Sequence, residues 1–276
     1  MTQRPPNGRA LTAAYAASLL VGIGIVAASA SGLASGVDAP YGDSSLVLVS
    51  RGADAANLVF VLPILLGPMW LAQRGSLTGL LLWPGALFYT LYAYVPYLIG
   101  APFSGLFFVH VALVTISAFT VIGLVATIDA ETVRRRWAAA PARAMGAALV
   151  VIAIAAYVGL TITAIGAFGD PAGEAATRPL AVADWALGTP VLLVGGALLW
   201  RRLPLGYVAA PGLFLVSGLG GVVFVAAAAV DNLGSGPQTE AAVTAVHLVI
   251  SLVSLALLAF FLARARPSAP RFDDRR

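Results

Sequence analysis

Apolar residues run along this chain in long blocks, and the positions that interrupt them carry arginine, glycine, proline or acidic side chains. Reading from one break to the next predicts eight hydrophobic helices, over 11–33, 53–72, 77–99, 105–128, 144–167, 181–200, 205–230 and 241–263. Each has about 20 residues or more, enough at 1.5 Å per residue to cross a hydrocarbon layer of roughly 30 Å. The expected fold class is therefore all-α, a polytopic transmembrane helix bundle of eight spans. Span 11–33 ends in Ala28-Ser29-Ala30, which also fits a signal-peptide cleavage site and would leave seven spans. The apolar run is longer than the roughly 7 to 15 residues of a signal h-region, so the span is kept.

The breaks also give an orientation. Arg4, Arg9, Arg74, Arg134, Arg135, Arg136, Arg143, Arg201, Arg202, Arg264, Arg266, Arg271, Arg275 and Arg276 fall at the termini and in the even-numbered loops, whereas only Arg51 and Arg178 fall in the other set. The positive-inside rule then places both termini in the cytoplasm.

Displacing the sequence by 127 residues lays 63–88 on 190–215 without a gap. Eight positions coincide: Pro63 with Pro190, Leu65 with Leu192, Leu66 with Leu193, Leu71 with Leu198, Arg74 with Arg201, Gly79 with Gly206, Pro84 with Pro211 and Gly85 with Gly212. Chance in so apolar a chain gives roughly two or three, and proline, glycine and arginine are not what random hydrophobic overlap favours. The fourth spans agree at an offset of 137, where Val109-His110 and Ser117 meet Val246-His247 and Ser254. Two parallel four-helix repeats are expected, related by a pseudo-two-fold axis along the membrane normal. Their bounds are 1–133 and 134–266, with 267–276 as a cytoplasmic tail.

Composition supports the membrane reading and narrows the chemistry. Of the 276 residues 60% are hydrophobic and 10% charged, with a mean hydropathy of +0.93; soluble domains have roughly 45 to 50% apolar and 25% charged residues. The absence of cysteine excludes disulfides, thiolate metal sites, iron–sulfur clusters and thiol catalysis. All sixteen basic residues are arginine, which excludes a lysine Schiff base and a phosphate loop ending in Gly-Lys-Ser/Thr. A net charge of +4 and a pI near 9.8 do not imply nucleic acid, because the arginines sit where membrane topology wants them. The partner is the lipid bilayer, and the alanine-rich, lysine-free composition fits the cytoplasmic membrane of a high-GC bacterium.

Three segments, Ser50-Arg51-Gly52-Ala53-Asp54, the tyrosine-bearing stretch 89–100, and Trp200-Arg201-Arg202-Leu203-Pro204-Leu205-Gly206-Tyr207, together resemble an uncharacterised family of bacterial, actinobacterial-type integral membrane proteins. That family has no assigned activity, so the resemblance implies polytopic membrane character and nothing catalytic.

Polar residues inside spans are costly and by default face the bundle interior or a wet cavity. Asp54, Asn57 and Asp184 are expected near the outer helix starts, and His110 and His247 about 10 Å below the outer boundary of spans four and eight. Tyr94 and Tyr97 fit an interfacial aromatic belt, whereas the deeper Tyr89 and Tyr92 fit the lining of the same cavity. Asp231, Asp170, Glu174 and Glu240 read as loop residues in water, and Arg134-Arg135-Arg136-Trp137 as a topogenic loop. The resulting expectation is an outward-facing polar pocket in which Asp54, Asn57, Tyr89, Tyr92, His110, Asp184 and His247 bind, sense or transport a small-molecule solute. Two alternatives stand beside it. His110 and His247 can be the axial ligands of a b-type haem or can hold a divalent metal. A His/Asp pair can also serve acid–base catalysis in a membrane hydrolase or transferase.

Overall fold

The computed structural model describes residues 8–35, 50–234 and 239–265, all helix and connecting turn with no strand among the described residues. In chain order the helices are α1 (Gly8–Ala34), α2 (Arg51–Ala56), α3 (Leu62–Gln73), α4 (Leu77–Gly100), α5 (Gly105–Thr127), α6 (Ala130–Arg136), α7 (Ala142–Gly166), α8 (Pro171–Ala183), α9 (Thr189–Trp200), α10 (Pro204–Leu233) and α11 (Ala241–Ala263). A π-turn, Asn57–Val61, joins α2 to α3, and a second, Asp184–Gly188, joins α8 to α9.

Seven helices are long and apolar enough to cross a membrane: Ala10–Ala34, Arg51–Gln73, Gly105–Thr127, Ala142–Gly166, Pro171–Trp200, Pro204–Leu233 and Ala241–Ala263. Among the described residues these correspond to seven of the eight expected spans. The missing one, 77–99, is present as α4, which at 24 residues has the length. Its tyrosines, its internal Pro84 and Pro96, and its glycines depress its hydropathy, and it is also a central helix with Trp83, Tyr89, Tyr94 and Tyr97 all enclosed. Helix α10 is the most enclosed of the seven spans and α7 the least.

The prolines explain the π-turns. Pro63 and Pro190 are the second residues of α3 and α9, directly after the widened turns. A proline ring inside an α-helix collides with the carbonyl four residues back, and inserting one residue into that turn moves the carbonyl away. Each of these helices then ends alike. After α3 the Gly75 N–H donates to the Ala72 carbonyl (2.9 Å) and the Ser76 N–H to Leu71 (3.0 Å); after α9 the Arg202 N–H donates to Leu199 (2.8 Å) and the Leu203 N–H to Leu198 (2.9 Å). Both are Schellman motifs with a left-handed residue, Gly75 at φ 80° and Arg202 at φ 58°.

Packing is arranged around α4 and α10. Helix α5 lies against α4 and α1, α11 against α10, and α9 against α7 and α10. Helices α4 and α10 cross at Gly85 and Gly212: a Cβ on Gly85 would collide with the Gly212 backbone, and one on Gly212 would come within 3.0 Å of the Gly85 Cα. The crossing therefore needs two residues without side chains, the small-residue contact that lets helices approach in lipid. Across it, α4 meets α8 and α10 meets α2. Two residues before Gly85 the Trp83 indole N–H donates to the Ser18 hydroxyl at 3.0 Å, the partner that a buried indole requires.

Candidate functional site

Helix α2 begins at a buried polar junction. The Ser50 hydroxyl accepts the Ala53 N–H (3.1 Å) as N-cap and donates to Asp231 Oδ2 (2.6 Å), while Asp231 Oδ1 accepts the Gly52 N–H (3.0 Å). The Asp231 carboxylate thus sits on exposed donors at a helix start, where the dipole also favours negative charge. Gly52 is what lets it approach, since a Cβ there would strike the Ala227 carbonyl oxygen and the Asp231 carboxylate. Asp231 was expected in a watery loop; it is instead 3% exposed within α10, which runs to Leu233.

One turn further along, several buried polar side chains gather in the bundle interior. Ser29 from α1, Asp54 from α2, Asn57 from the first π-turn, Tyr94 and Tyr97 from α4, and His110 from α5 are each buried, none more than 2% exposed. The Tyr94 hydroxyl lies among Ser29, Asn57 and Asp54. The two tyrosine rings are 5.1 Å apart between centroids, and the His110 imidazole packs on both, at 4.7 Å from Tyr97 and 5.6 Å from Tyr94. Among the described residues neither His110 nitrogen has a hydrogen-bond partner. A buried polar group left so costs on the order of 1 to 3 kcal/mol.

Two expectations change here. Tyr94 and Tyr97 are inside the protein and not in an interfacial belt, because α4 is surrounded by other helices. Asp54, Asn57 and His110 are each buried within the described residues. Ser29, read only as part of a cleavage-like tripeptide, belongs to the group.

Asp184 lies elsewhere. It was expected at the outer start of a 20-residue span, but the helix begins at Pro171, so Asp184 is near the middle of a 30-residue helix. Its carboxylate is half-buried, accepts a long hydrogen bond from the Thr189 hydroxyl (3.4 Å) and faces Tyr92 of α4. Tyr89, 1% exposed, lies within electrostatic range of both Tyr92 and Tyr94. Tyrosines of α4 therefore look toward both π-turns, Tyr94 toward Asn57 and Tyr92 toward Asp184.

His247 stands apart from all of these. Its Nδ1 lies 2.8 Å from the Val243 carbonyl of its own helix, and its ring stacks on Phe224 of α10 at 3.8 Å. The ring neighbours of His110 are not those of His247, so the structure does not bring the two histidines into one slot. Among the described residues no three His, Cys, Asp or Glu gather as a metal-ligating group.

The arginine run of 134–136 lies in the connection between α5 and α7, where it forms the end of α6, capped by Asp129, which accepts the Glu131 and Thr132 N–H groups at 3.1 and 3.2 Å. Val133 and Trp137 anchor it, and Trp137 stacks on Phe261 of α11 at 5.9 Å. In comparisons with known proteins, no family model, no curated protein and no solved structure matches this chain.

Proposed function

We propose that the chain is a multi-pass membrane protein that binds a small polar solute at the buried group formed by Ser29, Asp54, Asn57, Tyr94, Tyr97 and His110. One observation carries this reading: six polar side chains from α1, α2, the first π-turn, α4 and α5 converge in an otherwise apolar bundle, and among the described residues neither nitrogen of the buried His110 imidazole has a hydrogen-bond partner. Intramembrane polar residues so gathered mark ligand or ion sites more often than lipid contacts. Access to the group requires the helices around it to separate, so binding is coupled to a change of shape. That suits sensing or transport better than a rigid receptor.

The architecture that goes with this reading is eight spans in two parallel four-helix repeats, with α4 as the eighth and with both termini in the cytoplasm of a bacterial cell. The 127-residue recurrence of π-turn, proline, Schellman turn and crossing glycine supports the repeat, and the arginine distribution supports the orientation. The purified protein is screened by thermal shift against amines, amino acids, sugars and nucleosides, alongside Asp54→Asn and His110→Ala. One class is expected to raise the unfolding temperature of the wild type and of neither variant. Equal shifts in all three proteins would remove the site from the reading.

A further inference from the structure

Asp184 is a carboxylate inside an apolar helix, and among the described residues no cation reaches it. The nearest arginine in sequence, Arg178, is held by Glu174 of the same helix at 3.6 Å, and the other ion pairs, of Arg134 and Arg135 with Glu131, lie on α6. The groups facing Asp184 from its surroundings carry no positive charge. Helix α4 offers Tyr92, and Thr189 at the start of α9 offers a hydroxyl. Helix α7, which also packs on this π-turn, offers Tyr157, whose ring lies 6.0 Å from that of Trp185. Gly188 completes the site: a Cβ there would approach Asp184 Oδ1 to 2.6 Å and the Tyr92 ring to 3.0 Å, so the glycine keeps the carboxylate and the phenol side by side.

A carboxylate in a low-dielectric span is too costly to keep ionised without compensation, and one hydroxyl at 3.4 Å compensates little. Among the described residues no ion pair supplies the missing positive charge. We propose that Asp184, with the Tyr92 side chain and the Thr189 hydroxyl beside it, is a monovalent-cation site that carries a proton or an alkali metal ion. This rests on the membrane-spanning reading above but not on any solute at the Asp54 and His110 group. It gives the second π-turn a chemistry distinct from the first, which presents Asn57 at the corresponding position. The side chains shown beside the carboxylate are neutral, and the Thr189 hydroxyl can solvate a small cation or hydrogen-bond a carboxyl but cannot neutralise a second negative charge, which disfavours anions.

The test is infrared difference spectroscopy of the full-length protein in lipid nanodiscs, comparing wild type, Asp184→Asn and Asp184→Glu across pH in sodium, potassium or choline chloride. If the charge is a proton, the wild type shows the C=O stretch of a protonated carboxyl at neutral pH; Asp184→Asn loses it and Asp184→Glu shifts it. If the charge is an alkali ion, sodium or potassium but not choline changes the carboxylate stretch and raises the unfolding temperature, and both responses vanish in Asp184→Asn. Spectra that superpose for wild type and Asp184→Asn under every condition would overturn the proposal. So would an Asp184 carboxylate that titrates in the ordinary aqueous range and ignores the salt. Should Asp184→Asn not fold, the wild-type and Asp184→Glu comparison decides alone: an unshifted band refutes the assignment. His110→Ala separates this idea from the solute site, because it is expected to abolish the thermal response to solute while leaving the Asp184 band intact.

Discussion

At Arg202 the backbone takes φ 58°, a conformation that costs a residue with a Cβ roughly 1 to 2 kcal/mol, and glycine far less. The equivalent place after α3 holds Gly75. Arg202→Gly is therefore expected to stabilise the protein by about 1 kcal/mol, read as a higher unfolding temperature of the purified chain. Gly75→Ala should do the reverse, and an unchanged or lowered temperature for Arg202→Gly would show that the arginine side chain contributes more than its backbone strain removes. Single residues were legible in the sequence where their chemistry was local, as for the polar positions Asp54, Asn57 and His110. They were illegible where a partner lay far along the chain. Asp231 looked like a loop residue because its partners, Ser50 and Gly52, are 181 and 179 positions away. Tyr94 and Tyr97 looked interfacial because depth along a helix was readable and enclosure by other helices was not.

Two elements lend themselves to direct tests. The crossing of α4 and α10 has no room for a methyl group at Gly85, so Gly85→Ala is expected to lower stability by roughly 1 to 3 kcal/mol through overpacking. Gly123→Ala is the control: nothing lies within 4 Å of its Cβ position, so the substitution should be neutral or slightly stabilising through helix propensity. Helix α6 supplies a pH prediction. Hydrogen bonds from the Thr132 side chain and backbone hold the Asp129 carboxyl below the usual carboxylate range, and Arg134 does the same for Glu131. A lowered folded value means that these contacts stabilise α6 above the pKa of the unfolded chain and lose their effect as pH falls through the folded value. Amide exchange at Glu131 and Thr132 should accordingly be faster in Asp129→Ala than in wild type at neutral pH, and the two should converge in acid. Helix positions were readable from the apolar runs, with 241–263 matching α11 end to end. The π-turns were not, although Pro63 and Pro190 inside long apolar runs were their visible trace.

For the molecule as a whole, the reading turns on whether α4 crosses the membrane. Its hydropathy fails the composition that marks the other seven helices because its polar rings are directed at protein and not at lipid, and a lone sequence cannot distinguish the two environments. If α4 spans, Ala139 and Ala172 lie on opposite sides, since α7 alone separates their loops, and Gln73 lies on the same side as Ala139. Cysteines introduced singly into this cysteine-free chain decide it. With an impermeant reagent on intact cells, Ala172→Cys should be labelled, whereas Gln73→Cys and Ala139→Cys should react only after the membrane is opened. Labelling of Gln73→Cys together with Ala172→Cys would leave α4 within one side of the bilayer and undo the eight-span arrangement.

The π-turns have a consequence for how this chain tolerates changes in length. Each is a single surplus residue in an otherwise α-helical rod, and its wider turn takes up that residue locally, so the helix before and after it keeps nearly the facing of a plain α-helix one residue shorter. Removing one residue from Asn57–Val61 is therefore expected to leave Asp54 near Tyr94 and Gly52 near Asp231, at the cost of the collision at Pro63 that the surplus residue relieves, whereas removing one from the plain α-helical turns of α3 would rotate everything before it by about 100° relative to everything after. A helix of this kind carries one link of slack, and a deletion there ought to do less damage than the same deletion elsewhere along the rod.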